Sequence, residues 1–185
     1  MLNLPNILTI LRVLLIPVLV YFLISEEVGS NYWAAFIFWV IGVSDWLDGY
    51  LARSMNLSTR LGAFLDPVAD KLCVGVILVM LVWKDPRLII AIPATIIIAR
   101  EIFVSGLREW MSELGLRDAV AVDLSGKLKT AAQGFAIIFL IYNQDLAGIP
   151  VYELGIGCLL LATILAVFSM FNYIKGAWPH LKEPE

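Results

Sequence analysis

Four aspartates lie in one short stretch of a very apolar chain, at spacings that favour shared chemistry. Asp45 and Asp48 are three residues apart, and Asp66 and Asp70 are four apart. Both spacings place the two side chains of a pair on one face of a helix. Four carboxylates that meet in a low-dielectric environment repel one another strongly unless a cation lies between them. The spacing therefore predicts a site for Mg²⁺, Mn²⁺ or Ca²⁺, the divalent cations that prefer oxygen ligands.

Small and basic residues surround the aspartates in a pattern that suits a phosphate site. Gly49 and Gly62 lack a Cβ atom and allow a ligand or a backbone segment to approach closely. Ala52 and Arg53 continue the face that carries Gly49, and a guanidinium can hold phosphate oxygens. This combination indicates a diphosphate bound to metal ions. The alternative is a set of helix caps and interfacial salt bridges with Arg53 and Arg60, which explains one pair of aspartates more easily than two.

A second group of candidate residues is basic. Arg100 and Arg108 are eight residues apart, about two helical turns, so they share a helix face. Lys127 lies at the start of the fifth predicted helix, together with Lys129. We predict that these three residues bind the phosphate of an anionic acceptor, and that Glu101 orients one of the arginines. The positive-inside rule is the alternative for all three. That rule is the preferred explanation for other basic residues of the same side, which include Arg117, Lys129 and Lys175.

The composition predicts the kind of protein that positions these residues. The chain has 185 residues, is 61% hydrophobic and 16% charged, and has a mean hydropathy of +0.88. A soluble domain is usually about half apolar and about a quarter charged. We therefore predict a single membrane-embedded domain that comprises residues 1–185. The net charge of −3 gives no indication of a nucleic-acid partner.

Six apolar segments approach the length of a transmembrane helix, about 20 residues. The predicted all-α fold has six transmembrane helices at residues 5–25, 31–53, 61–83, 87–110, 126–143 and 149–174. If both termini lie inside, all but two of the 13 basic residues, Lys84 and Arg87, fall on the inner side. The four aspartates then lie near the cytoplasmic ends of the second and third helices.

The first predicted helix carries three polar residues near its start. Asn6 and Thr9 are three residues apart and share a face, which we predict to contact a bound nucleotide. Capping and interhelical hydrogen bonds explain the same two residues equally well. Arg12 lies one turn further along, deeper than a snorkelling side chain needs, and is expected to pair with a carboxylate.

The aspartate stretch resembles the signature of the CDP-alcohol phosphotransferase family. Eight specified positions match at fixed spacing: Asp45-x2-Asp48-Gly49-x2-Ala52-Arg53-x8-Gly62-x3-Asp66-x3-Asp70. The resemblance implies a six-helix membrane fold, usually a homodimer, and two divalent cations, Mg²⁺ or Mn²⁺. It implies that the first three aspartates ligate metal and that Asp70 is the general base, a further ligand, or both. The remaining four matched residues are implied to line the CDP site.

Longer stretches resemble the bacterial branch of this family that makes phosphatidylglycerophosphate. They are NLPNILTILRVLLIP, TRLGAFLDPVADK, IIIAREIFVSGLREWMSELG and GKLKTAAQ, and the likeness covers nearly the whole chain. It implies transfer of a phosphatidyl group from CDP-diacylglycerol to glycerol 3-phosphate, with release of CMP, at the cytoplasmic edge of the bacterial inner membrane. Glycerol 3-phosphate is a dianion near neutral pH, which agrees with a basic acceptor site.

Two other functions remain open at the level of the sequence. A cardiolipin synthase of the same family would use phosphatidylglycerol as acceptor and would need fewer basic groups facing the cytosol. A divalent-cation transporter also carries intramembrane carboxylates, but its polar groups should extend through the membrane, often in internal repeats. In this sequence the polar groups cluster near one edge and no repeat is apparent.

Overall fold

The computed structural model describes residues 4–54, 59–116 and 124–180, and the side chains of residues 6–49, 59, 62, 64–116 and 128–180. This part of the chain forms six helices and no strand. In chain order they are α1 (Leu4–Ile24), α2 (Ser30–Ser54), α3 (Arg60–Lys84), α4 (Leu88–Glu113), α5 (Leu124–Tyr142) and α6 (Val151–Ala177). Every helix end lies within three residues of its predicted position, so the all-α architecture is confirmed.

The six helices are not equally suited to cross a membrane. Three stretches in the described part are long and apolar enough, namely Asn6–Ile24, Leu88–Glu113 and Val151–Ala177. Helices α2 and α3 have 25 residues each but carry the aspartates, and the apolar part of α5, Leu128–Tyr142, is shorter. These three helices identify the chain as a membrane protein, while the number of six transmembrane helices stays a prediction.

The interior of the bundle is apolar over most of its depth. Leu19, Ile77, Ile97, Ile137 and Leu159 come from five different helices and are fully buried in one core. Large apolar side chains also cover much of the outer surface. Because lipid chains are about as apolar as leucine, close packing rather than exclusion of water holds such helices together.

Helices α5 and α6 approach each other closely at Gly155. A Cβ atom at this position would lie 3.0 Å from the Leu140 backbone nitrogen and 3.0 Å from Phe139 Cβ. Small residues commonly allow this kind of close approach between membrane helices. Helix α5 also contacts α2 and α3, and so it links the helices that carry the aspartates to α6.

A smaller apolar cluster joins the C-terminal halves of α4 and α6. It consists of Val104, Met111, Tyr173 and Ala177. These contacts fix the end of α4 against α6, beside the position of Arg100 on α4.

Candidate active site

The aspartates of α2 and α3 converge on a single guanidinium from α1. Arg12 Nη1 donates a hydrogen bond to Asp45 Oδ1 at 2.7 Å, and the same nitrogen donates to Asp70 Oδ1. The other terminal nitrogen, Nη2, donates to Asp48 Oδ2. One arginine thus connects carboxylates from two other helices, and its expected pairing with a carboxylate is confirmed three times.

Thr9 completes the contact between α1 and the aspartates. Its hydroxyl donates to Asp66 Oδ1 at 2.6 Å and lies 3.5 Å from Asp48 Oδ2. Thr9 and Arg12 are three residues apart in α1, so one face of this helix touches all four carboxylates. We call Thr9, Arg12 and the four aspartates the aspartate cluster.

The aspartate cluster has a closed side and an open side. The side chains of Arg12 and Asp48 are 1% and 3% exposed, whereas those of Asp45 and Asp70 are 47% and 48% exposed. Asp48 therefore belongs to the floor of the cluster. Asp45 and Asp70 form its accessible rim, where a substrate can reach them.

Gly62 and Asn6 meet at the contact between α1 and the start of α3. The Thr59 hydroxyl donates to Asn6 Oδ1 at 3.0 Å and accepts a hydrogen bond from the Gly62 backbone N–H at 3.0 Å. Thr59 is thus the N-cap of α3, and it holds Asn6, which is 1% exposed. A Cβ atom at Gly62 would lie only 2.6 Å from Asn6 Oδ1. In this arrangement the space beside Gly62 is filled by a side chain of the protein itself.

The other residues predicted to line a nucleotide site are described only in part. Gly49 is half-buried in α2, directly after Asp48. The side chains of Ala52 and Arg53 lie outside the described residues, although both positions belong to α2. Their role in CDP binding stays a prediction.

Arg100 is buried between α4 and α6. Its Nη2 donates to Ser169 Oγ at 2.8 Å, and its guanidinium carbon lies 5.6 Å from the centre of the Tyr173 ring. Its Nη1 is 3.6 Å from Glu101 Oε1. The arginine is therefore held by α6, and Glu101 is placed to orient it, as the sequence predicted.

Lys129 of α5 also joins this group. Its ammonium donates to Glu101 Oε1, and the lysine is only 5% exposed. One turn further along α5, Gln133 is 5% exposed, and its Oε1 has no hydrogen-bond partner among the described residues. We call Arg100, Glu101 and Lys129 the basic cluster. Arg108 is exposed two turns further along α4, and the side chain of Lys127 lies outside the described residues.

The opposite end of the bundle contains a different polar group. Asp85, in the link between α3 and α4, accepts hydrogen bonds from Arg87 Nε at 2.9 Å and from the Tyr152 hydroxyl. The Arg87 guanidinium holds the pKa of Asp85 below its usual range. A cavity of about 540 Å³ beside this end is lined by residues of the α1–α2 link and by Trp83 and Lys84. None of the aspartates of α2 and α3 lines it.

The aspartate cluster can be compared with a metal site. Among the residues that the structure describes, no three His, Cys, Asp or Glu side chains have the spacing to hold one ion. The carboxylates are instead arranged around Arg12. Their chemistry nonetheless suits Mg²⁺ or Mn²⁺, because all four candidate donors are carboxylates. One guanidinium also leaves up to four negative charges incompletely balanced, so the residues fit a further cation.

The sequence predicted the four aspartates and the pairing of Arg12, but it missed one feature of the basic cluster. Thr9 forms interhelical hydrogen bonds to aspartates, which is one of the two explanations that the sequence left open for it. Lys129 was explained by the positive-inside rule alone, yet it is buried against Glu101. Its spacing of two residues from Lys127 gave no signal, since a solvated lysine and a buried one look identical in a sequence.

Comparisons with known proteins relate the chain to one family. A family model described as CDP-alcohol phosphatidyltransferase matches residues 2–173. A protein of Pseudomonas fluorescens named CDP-diacylglycerol–glycerol-3-phosphate 3-phosphatidyltransferase is 47% identical over 181 residues, which cover 97% of this chain and 92% of that protein. A protein of the same name from Escherichia coli strain K12 is 45% identical over 175 residues, which cover 95% of this chain and 94% of the relative.

Proposed function

The chain belongs to the CDP-alcohol phosphatidyltransferase family, and we infer that it transfers a phosphatidyl group from CDP-diacylglycerol to glycerol 3-phosphate. The products are phosphatidylglycerophosphate and CMP. The observation that carries this function is the convergence of Asp45, Asp48, Asp66 and Asp70 in a chain of nearly the same length as relatives named for that reaction.

We propose that the four aspartates hold two divalent cations, Mg²⁺ or Mn²⁺. Cations bound there would neutralise the diphosphate of CDP-diacylglycerol and stabilise the charge that develops on the leaving CMP. Asp48 is the most buried of the four carboxylates and provides a fixed ligand. The half-exposed Asp45 can adjust to an entering substrate.

Asp70 is the proposed general base. It lies on the exposed rim, so it can take the proton from the free primary hydroxyl of glycerol 3-phosphate. The resulting alkoxide attacks the phosphorus that bears the diacylglycerol, and the bond from that phosphorus to the CMP oxygen breaks. The CDP group of the lipid substrate is proposed to contact Asn6, Gly49, Ala52, Arg53 and Gly62.

The basic residues of α4 and α5 are the proposed acceptor site. We assign the phosphate of glycerol 3-phosphate to Arg100, Arg108 and Lys127. The structure supports adding Lys129, because its buried ammonium lies beside Arg100 and Glu101. Two cations share one carboxylate there, so the basic cluster has positive charge to offer to an incoming anion.

The proposed location of the enzyme is supported by the distribution of charge and aromatic residues. We propose a multi-pass protein of the bacterial inner membrane, with six spans and with both termini and the site on the cytoplasmic side. Trp33, Trp83 and Trp110 lie near helix ends and are exposed, which suits the membrane–water interface. A homodimer surrounded by membrane lipids is proposed from the family resemblance.

A panel of acceptors tests this function. Purified protein in detergent would receive CDP-diacylglycerol and Mg²⁺, and CMP release would be measured with glycerol 3-phosphate, phosphatidylglycerol, serine and inositol phosphate. We expect CMP release with glycerol 3-phosphate alone, and none after EDTA is added. Release with phosphatidylglycerol instead would identify a cardiolipin synthase and would contradict the acceptor assignment. Release that persists in EDTA would contradict the metal proposal.

A further inference from the structure

Arg12 occupies the centre of the proposed metal site. It lies in the third turn of α1, is 1% exposed, and binds carboxylates of Asp45, Asp48 and Asp70 through its two terminal nitrogens. These are three of the four groups to which the cations are assigned. A guanidinium and a divalent cation cannot both occupy the full set of these oxygens.

The third nitrogen of the Arg12 guanidinium, Nε, is not hydrogen-bonded to the aspartates. Arg12 Nε is buried and has no hydrogen-bond partner among the described residues. The arginine is thus held to the aspartates through its two terminal nitrogens, and no hydrogen bond at Nε fixes the direction from which the side chain approaches them. Two of its three partners, Asp45 and Asp70, are on the exposed rim, so these bonds can be exchanged without opening the core.

We propose that Arg12 is an internal counter-cation that competes with the divalent cations for the aspartates. It holds α1, α2 and α3 together when no metal is bound, and it releases part of its hydrogen bonds when metal binds. This inference rests on the proposed metal site. Arg12 is then a positioning residue, because it gathers the ligands in advance and does not touch the reacting phosphorus.

Competition has a thermodynamic consequence that a purely structural arginine would not have. If Arg12 and the cation exclude each other, each weakens the binding of the other by the same factor. Replacing Arg12 by an uncharged residue should therefore strengthen cation binding while it destabilises the metal-free protein. A residue that only braces the helices would destabilise both forms equally and leave cation affinity unchanged.

The test compares Mn²⁺ binding and thermal unfolding of the whole protein in detergent. Calorimetric titration and melting curves, with EDTA or with saturating Mn²⁺, would be recorded for the native chain, Arg12→Gln, and the matched control Arg87→Gln at the other end of the bundle. We expect Arg12→Gln to bind Mn²⁺ about tenfold more tightly, within the usual range of coupling between two sites. Its melting temperature should fall in EDTA and recover largely in Mn²⁺. The control should bind Mn²⁺ like the native chain and should show the same small decrease of melting temperature in both conditions.

Other outcomes are equally informative. Equal Mn²⁺ affinity in Arg12→Gln and the native chain, or weaker binding in the variant, would overturn the competition while leaving the proposed metal site intact. No Mn²⁺ binding by the native chain would overturn both. If Arg12→Gln cannot be purified, Arg12→Lys replaces it, because one ammonium cannot reproduce the fork that spans three carboxylates. Unchanged Mn²⁺ affinity in Arg12→Lys would then also contradict the proposal.

Discussion

Two charged clusters at the same end of the bundle have net charges of opposite sign. In the aspartate cluster, the guanidinium of Arg12 is the one cation beside four carboxylates among the described residues, and it binds three of them. In the basic cluster, Glu101 is one carboxylate between two cations, Arg100 and Lys129. Each cluster therefore has an internal counter-ion that offsets only part of its charge.

The difference between the clusters teaches how one membrane protein can hold two reactants of different charge. A fully balanced buried ion group needs no ligand, and a wholly unbalanced one is too costly to bury. A cluster whose charge is only partly balanced lies between these limits, and its remaining net charge can bind a substrate or an ion. The surplus is negative where metal ions are proposed and positive where an anionic acceptor is proposed. Helix α5, which carries Lys129, contacts α2 and α3, which carry the aspartates.

The largest expected effect comes from removing charge from the aspartate cluster. Asp66→Asn keeps the shape of the side chain and can still accept the hydrogen bond from Thr9. Because metal ligation requires the carboxylate, kcat should fall about 10³-fold or more, as expected when a main electrostatic contact to the transition state is lost. CMP release at limiting and saturating Mg²⁺ measures this. The matched control is Asp85→Asn at the other end of the bundle, which should remain active. Substantial activity of Asp66→Asn at limiting Mg²⁺ would contradict its role as a metal ligand.

A smaller effect is expected in the basic cluster. Lys129→Gln removes one of two cations beside Glu101, so the KM for glycerol 3-phosphate should rise about tenfold, the value of one charge-assisted hydrogen bond. The KM for CDP-diacylglycerol should change much less. Steady-state kinetics with each substrate varied in turn would measure the two KM values separately.

Lys175→Gln is the control for this variant. Lys175 is an exposed lysine in the last turn of α6 and has the same charge. Both KM values should remain native in that variant. An equal rise of both KM values in Lys129→Gln would mean that the lysine supports the fold and does not belong to the acceptor site.

The two clusters also differ in how far the sequence predicted them. The four aspartates of the aspartate cluster were predicted together, because their spacing is fixed within two helices joined by a short link. Arg12 was recognised only as a cation too deep to be solvated, since nothing local identifies its partners. The basic cluster depends on α4, α5 and α6 meeting, and a contact between distant helices leaves no periodic trace. For that reason Lys129 and Ser169 could be found only from the structure.

A third prediction concerns the helix contact that supports the aspartate cluster. Gly62→Ala would place a Cβ atom 2.6 Å from Asn6 Oδ1, so either Asn6 or α3 must shift. Because Asn6 is buried and hydrogen-bonded to Thr59, we expect α3 to move away from α1 and to carry Asp66 away from Thr9. Misplacement of this kind should lower kcat about tenfold and reduce the melting temperature. Gly75→Ala is the matched control in the same helix, since nothing lies within 4 Å of its added Cβ.

This variant also separates two roles of Gly62. If the glycine serves only to admit the nucleotide, the KM for CDP-diacylglycerol should rise while the melting temperature stays native. If it serves the contact between α1 and α3, the melting temperature and kcat should fall together. Native behaviour in all three quantities would mean that Asn6 moves aside without consequence.

The smallest effect is expected at the balanced ion pair that contrasts with both clusters. Arg87 donates to Asp85 from Nε and Nη2, at 2.9 and 2.7 Å, and no surplus charge remains between the two. Arg87→Gln should therefore leave activity unchanged and lower the melting temperature less than Gly62→Ala does, because exposed ion pairs contribute little. The arginine holds the pKa of Asp85 below its usual range, so the stabilisation is present above the unfolded-state pKa and is lost as the pH falls through the folded-state pKa. Melting curves from neutral to acid pH should show the difference between native chain and variant shrinking towards zero. A difference that grows in acid would show that Arg87 acts through contacts other than Asp85.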